Sequence, residues 1–286
     1  MNLLQAIILG IVQGLTEFIP VSSSGHLVLA QYFIGLEGAG DLSFEIFLHL
    51  GTLCAVLIFF RHRIWELIKS MFCWGAKLDG EIHRHNRMLI VFLILSTLST
   101  AVMYILFKDL FEAAYTCPLF VSLMLILTGI LIYSSDLVKD NSIPASNMGF
   151  IKSMFIGLAQ GVAILPGISR SGSTIATSLF CRIKRKDAAH YSFLLSIPAI
   201  VAANVSEYQE LMTLDPAVLP QYIGGFIASF IAGYLVIALL IRLIQGGNLK
   251  YFAFYLWLVG EARKHIQQGD FAAWKDEIIP LLKQKL

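Results

Sequence analysis

The sequence predicts an all-α polytopic membrane protein built from two inverted-topology repeats. Each repeat is a re-entrant helix-loop-helix hairpin followed by three transmembrane helices. Three observations lead there. Of the 286 residues, 57% are hydrophobic and only 14% charged, whereas soluble domains carry about a quarter charged residues. Apolar stretches near the roughly 20 residues needed to span a bilayer recur along the chain. Two further apolar segments are broken in the middle by proline, glycine and serine, and those two resemble each other.

The first broken segment is residues 3–34, with two helical legs interrupted at "IPVSSSG". The N-terminus that opens it lacks a basic region and a small-residue cleavage site, so it is read as part of the fold and not as a signal peptide. Three candidate spans follow at Phe44–Phe60, Met88–Phe107 and Pro118–Leu137, with Arg61–Arg87 read as a long basic loop. The second broken segment is residues 150–180, interrupted at "LPGISRSG", and three more spans follow at Tyr191–Val205, Tyr222–Leu243 and Tyr251–Val259 with its flanks. Proline and a serine-glycine run end a helix, and each leg is too short to cross. Irregular backbone at membrane depth is tolerated only where protein buries it or a wet cavity meets it. Each segment is therefore expected to enter, turn and leave on one side.

Residues 10–26 aligned without a gap over 157–173 share six identities in seventeen: Gly10, Gln13, Gly14, Ser22, Ser24 and Gly25 match Gly157, Gln160, Gly161, Ser169, Ser171 and Gly172. Repeat 1 is read as 1–140, repeat 2 as 150–265 and a C-terminal tail as 266–286. Three spans is an odd number, so the second copy is inverted, and broken helices in inverted repeats place a binding site near the midplane. In the tail, Phe271, Trp274, Ile278 and Leu281 fall near one helical face, which suits either an interfacial helix or a disordered extension.

The charge pattern supports this arrangement independently. With the Arg61–Arg87 loop inside, alternation puts 138–152, 181–187 and 242–250 inside too. The inside segments then hold fourteen Lys and Arg against one, Lys108, outside, a strong bias under the positive-inside rule. The net charge of +2 and the lack of basic tracts interleaved with aromatics give no sign of nucleic acid. Cys54, Cys73, Cys117 and Cys181 are scattered without metal-ligand spacing and are expected to be free thiols.

The breaks carry the chemistry. The first N–H groups of each second leg lack helical partners and favour an anion, phosphate above all. Ser22, Ser23, Ser24, Gly25, Ser169, Ser171, Gly172 and Thr174 are candidate phosphate-binding positions, although capping is the simpler role for any single serine. Arg170 sits at the tip of the second break, where a guanidinium fork matches a phosphate or diphosphate; its simpler role is a structural pair with Glu17. Charged groups at mid-bilayer cost about 2.5–3.5 kcal/mol on insertion scales and mark function by default. Gln13 and Glu17, four apart, share a helix face, and His26 lies one turn beyond the serines. Together these residues suit phosphoryl transfer, where positioning and charge neutralisation do most of the work. His49 is read as a satisfied core histidine, and His83 and His85 as solvated.

"QGLTEFIPVSSSGH" and "LPGISRSGST" resemble the two motifs of the undecaprenyl-diphosphatase family, the bacitracin-resistance type known as UppP or BacA, and the resemblance runs to about residue 260. It implies a hydrolase that converts undecaprenyl diphosphate to the monophosphate, recycling the lipid carrier for peptidoglycan and cell-wall synthesis. It also implies a divalent cation, Mg²⁺ or Ca²⁺, with Glu17, His26, Ser23 and Arg170 as active-site residues and Glu17 with Gln13 near the metal. The nucleophile stays open among Ser23, His26 and an activated water. The implied setting is the bacterial inner membrane with the site facing the periplasm. The expected partners are the polyprenyl diphosphate lipid and the bilayer, with a homodimer as the one protein association considered. Many family members carry glutamate at the position of Gln13, so Glu17 is left to act alone as carboxylate. Two rivals remain. A phosphatidic-acid-phosphatase type lacks its second histidine in "SRSGSTIAT", and a lipid-phosphate flippase would use the same anion site without releasing phosphate.

Overall fold

The structure is a computed structural model and describes residues 1–36, 42–72, 80–115, 118–206 and 216–285. Cys73, Cys117 and the side chain of Leu281 lie outside the described residues; Cys54 and Cys181 are free thiols. The described chain is helical, with one isolated parallel bridge between Ile143 and Ile183. In chain order the helices are α1 (Leu3–Phe18), α2 (Ser23–Phe33), α3 (Leu42–Phe59), α4 (Arg61–Phe72), α5 (Gly80–Tyr115), α6 (Pro118–Asp136), α7 (Phe150–Val162), α8 (Arg170–Phe180), α9 (Arg185–Ser206), α10 (Leu219–Gln245), α11 (Lys250–Gln268) and α12 (Phe271–Lys285).

Among the described residues α5, α6, α9 and α10 are each long and apolar enough to cross a membrane, and α3 with α4 forms a further apolar pair bent by 70°. The surface pattern is that of a lipid-facing protein. Leu98, Ile105, Leu106, Leu127 and Leu235 are exposed, while Ser96, Thr128, Ser135, Ser178, Ser192 and Ser229 are buried. In hydrocarbon no hydrophobic force drives helices together, so small and hydroxylated residues form the contacts.

The basic stretch 61–87 differs from the expected loop. Arg61–Phe72 is a helix, and α5 begins at Gly80, well before the apolar core of its span. Charges do not break a helix by themselves, and Arg61–Phe72 holds neither proline nor glycine; Ser70 accepts from Asn86 (2.9 Å) to fasten α4 onto α5. His83 is tied to the same serine, Nδ1 to Oγ 2.9 Å, rather than being merely solvated. The tail 271–285 is helical: His265 stacks on Trp274 at 5.2 Å and Phe271 meets Phe33 edge-on. The last expected span, Tyr251–Val259 with its flanks, is the helix α11, which carries Glu261, Arg263 and Lys264 in its second half and is not among the described helices long and apolar enough to cross a membrane.

The two hairpins open at opposite ends of the bundle. Gln5 near the start of α1 donates to the Ile34 carbonyl at the end of α2 (3.1 Å). At the far end, Ile143, shortly before α7, pairs with Arg182 and Lys184, just after α8. That end also gathers the basic segments around Asp136: Arg185 binds its carboxylate at 2.7 Å, and the Lys250 amide donates to it at 3.2 Å.

Glycines let the first leg of each hairpin lie against a long helix. A Cβ at Gly10 would stand 2.3 Å from the Gly225 carbonyl oxygen, and one at Gly14 would stand 2.5 Å from that of Ser229, both on α10. A Cβ at Gly157 would stand 2.3 Å from the Ser96 carbonyl oxygen on α5. These are matched positions of the two segments. α1 thus packs on α10 and α7 on α5, while α3 meets α9 and α6 meets α11.

Candidate active site

The two breaks meet. Glu17 lies in the last turn of α1, where the helix dipole disfavours a carboxylate, and four groups compensate. Arg170 Nη2, at the first position of α8, donates to Glu17 Oε1 across the interface. Oε2 accepts from Gln13 Nε2 at 2.9 Å and from Ser23 Oγ at 2.8 Å. His49 Nε2 on α3 stands 3.6 Å from Oε2. A second tie joins the breaks, from Ser171 Oγ to the Ile19 carbonyl at 3.2 Å.

The two helix starts are not equivalent. Ser169 caps α8 in the usual way, its hydroxyl accepting from the Gly172 amide at 3.1 Å. Ser22 precedes α2 with φ +69° and makes no side-chain cap. Such a conformation at a non-glycine residue costs on the order of 1–3 kcal/mol and is kept where surroundings over-determine it. The strain and the uncapped N–H groups both fall at the break that carries Ser23, the group bonded to Glu17.

Two polar atoms of this cluster are buried without partners, Arg170 Nη1 and Gln13 Oε1. The first leaves part of the guanidinium fork open for an anion. The second follows from chemistry: the Gln13 amide must turn its NH₂ to the carboxylate, so its oxygen points elsewhere. Among the described residues no group of three or more His, Cys, Asp or Glu could hold a metal. A cation would find one carboxylate, Glu17, and, with the Gln13 amide turned over from its present contact, one amide oxygen from the protein. That thin set fits Mg²⁺, which binds through one or two carboxylates and completes its shell with substrate phosphates and water.

Of the residues singled out from the sequence, Gln13, Glu17, Ser23 and Arg170 come together directly. Ser22, Ser24 and Gly25 form the start of α2 beside them, with Ser22 and Ser24 hydroxyls 3.4 Å apart. Thr174 turns away, its hydroxyl 2.6 Å from that of Ser192, and Ser169 serves as a cap. His26 also turns away: Nδ1 lies 2.8 Å from the Ser22 carbonyl oxygen and Nε2 lies 2.7 Å from the Tyr255 hydroxyl. The histidine that faces Glu17 is His49, which the sequence suggested was a packing residue. Nothing in the local sequence of α3 or α11 marks His49 or Tyr255, because their roles come from tertiary contacts.

A sequence model of the family described as Bacitracin resistance protein BacA matches residues 6–262. The chain belongs to the BacA family. Within it, the undecaprenyl-diphosphatase of Methanosphaera stadtmanae is 42% identical over 268 residues, covering 91% of this chain and 96% of that one. The proteins of the same name from Methanobrevibacter smithii and Carboxydothermus hydrogenoformans are 40% and 39% identical, each covering 91% of this chain. The match to the BacA family includes both breaks and every residue of the Glu17 cluster.

Proposed function

We propose that this membrane protein hydrolyses undecaprenyl diphosphate to undecaprenyl phosphate and inorganic phosphate. The observation that carries this reading is Ser23 donating to Glu17 Oε2 while Arg170 binds Oε1 of the same carboxylate. A hydroxyl within reach of a base is an activated nucleophile, and a guanidinium beside it supplies charge where phosphoryl oxygens gather.

The diphosphate binds where the breaks meet, at the unpartnered Nη1 of Arg170 and the N–H groups at the start of α2. Glu17 accepts the Ser23 proton as Ser23 Oγ bonds to the terminal phosphorus. The bridging P–O bond breaks and the lipid monophosphate leaves, its new terminal oxygen taking the proton from Glu17. Water then cleaves the phosphoserine, giving inorganic phosphate and returning a proton to Ser23. His26, in the same turn as Ser23, is the second proton-transfer group. A bound Mg²⁺ or Ca²⁺, held by Glu17 and Gln13, supplies further neutralisation of phosphate charge. The flippase reading is not favoured, because a carrier has no use for a hydroxyl activated by a carboxylate.

Inverted repeats are part of the proposal. Their support is the opening of the hairpins at opposite ends and the exchanged packing of α1 on α10 and α7 on α5. We place the protein in the bacterial inner membrane with the basic end in the cytoplasm and the site open to the periplasm. The support is the fourteen-to-one charge bias and the gathering of basic segments around Asp136.

Two outcomes are expected. Purified protein releases phosphate from undecaprenyl diphosphate and loses turnover in EDTA, recovering it with Mg²⁺ or Ca²⁺; activity undiminished by EDTA would remove the cation from the scheme. In a variant lacking the native cysteines, a cysteine at Ala39 reacts with an impermeant maleimide in intact cells, and one at Gly80 only after lysis. The reverse pattern would overturn the orientation.

A further inference from the structure

His26 is buried in the first turn of α2, and both of its ring nitrogens are engaged. Nδ1 lies 2.8 Å from the Ser22 carbonyl oxygen. A carbonyl only accepts, so Nδ1 carries a proton. Nε2 lies 2.7 Å from the Tyr255 hydroxyl, and the two rings stack with centroids 5.4 Å apart and planes inclined by 17°. Among the described residues no carboxylate touches this ring, and an unpaired buried imidazolium is costly. The ring is therefore neutral, Nε2 holds the lone pair, and the Tyr255 hydroxyl donates to it.

Tyr255 comes from α11, 229 residues along the chain. The same helix reaches the first turn of α2 a second time, where Arg263 Nη1 donates to the Gly25 carbonyl at 3.4 Å. Arg263 is itself buried, and its Nε has no partner. α11 thus holds the turn that carries Ser23 and His26 through side chains.

We propose that Tyr255 is a positioning residue of the phosphatase site. Its hydroxyl and ring face fix the orientation and tautomer of His26, holding Nε2 as the acceptor within the turn of α2 that carries Ser23. The hydrogen bond made by one ring nitrogen decides the state of the other, and Tyr255 with the Ser22 carbonyl controls both ends. This inference rests on the reading that His26 takes part in hydrolysis.

The test is Tyr255→Phe, which keeps the stacked ring and removes the hydroxyl. With ¹⁵N-histidine-labelled protein in bilayers, the His26 signals are assigned by their loss in His26→Ala. The wild type is expected to show a protonated Nδ1 and an unprotonated, hydrogen-bonded Nε2. Tyr255→Phe is expected to move the Nε2 signal and to lower kcat about tenfold with little change in KM, the scale seen when a partner that orients a functional histidine is lost. In a His26→Ala background the same change should have no further effect, because the two act as one unit. A wild-type Nε2 that is protonated, an unmoved Nε2 signal in Tyr255→Phe, or losses that multiply in the double variant would overturn the proposal. A moved signal together with full activity of His26→Ala would support the contact and overturn instead the role of His26 in the reaction.

Discussion

Arg170→Lys is expected to lower kcat/KM for phosphate release by about 10²-fold, equivalent to about 2.7 kcal/mol of transition-state stabilisation. The charge survives this change, but the geometry does not. Arg170 binds Glu17 through Nη2 and keeps a buried, unpartnered Nη1, so one planar group spans the carboxylate and the place where the anion enters. A lysine ammonium is a single point of charge on a flexible stem and cannot hold both. It would settle on Glu17 and leave the phosphate with one donor fewer. Steady-state kinetics on the purified variant check this. Turnover within threefold of wild type would mean that positive charge alone suffices and that the fork has no part in recognition.

Glu17→Gln is expected to have the larger effect, a loss of about 10²–10⁴ in kcat, the usual contribution of a positioned general base. The amide keeps the shape and can still meet Gln13 and Ser23, but it cannot take the Ser23 proton. The change also strips Arg170 of its counter-ion, and an unpaired buried charge costs about 3–5 kcal/mol. Lost activity could therefore reflect lost structure. The double variant Glu17→Gln with Arg170→Gln removes both charges and separates the two effects. It should melt near the wild-type temperature and remain inactive. A double variant that recovers turnover would remove Glu17 from the chemistry and leave the pair a purely structural one.

Much of this was legible in the sequence because it depends on local rules. The breaks at 19–22 and 163–169 follow from proline, glycine and serine in otherwise apolar runs, and the helix limits of both hairpins fall where those residues put them. Gln13 and Glu17 meet because four residues make about one helical turn, and the repeated Gly-x-x-Gln-Gly marks close packing on α10 and α5. The pairing of Glu17 with Arg170 followed from the demand that buried charges find partners. What escaped was tertiary. α4 has a polar composition that reads as a loop, yet its helix is fastened through Ser70 to Asn86. His49 and His26 look alike as isolated histidines in apolar helices, and each donates Nδ1 to a carbonyl one turn back. Which one faces Glu17 is decided by how α3 and α11 pack, and that information is spread over the whole chain.

The central claim is that the meeting of the two breaks cleaves a diphosphate rather than carrying it. The most direct measurement is made on protein reconstituted into sealed vesicles that contain undecaprenyl diphosphate labelled in its terminal phosphate. Released phosphate and the lipid exposed on each leaflet are followed in the same sample. The expected result is one inorganic phosphate for each undecaprenyl phosphate formed, with release abolished by Glu17→Gln. Lipid that crosses the bilayer with its diphosphate intact, while no phosphate is released, would contradict the account.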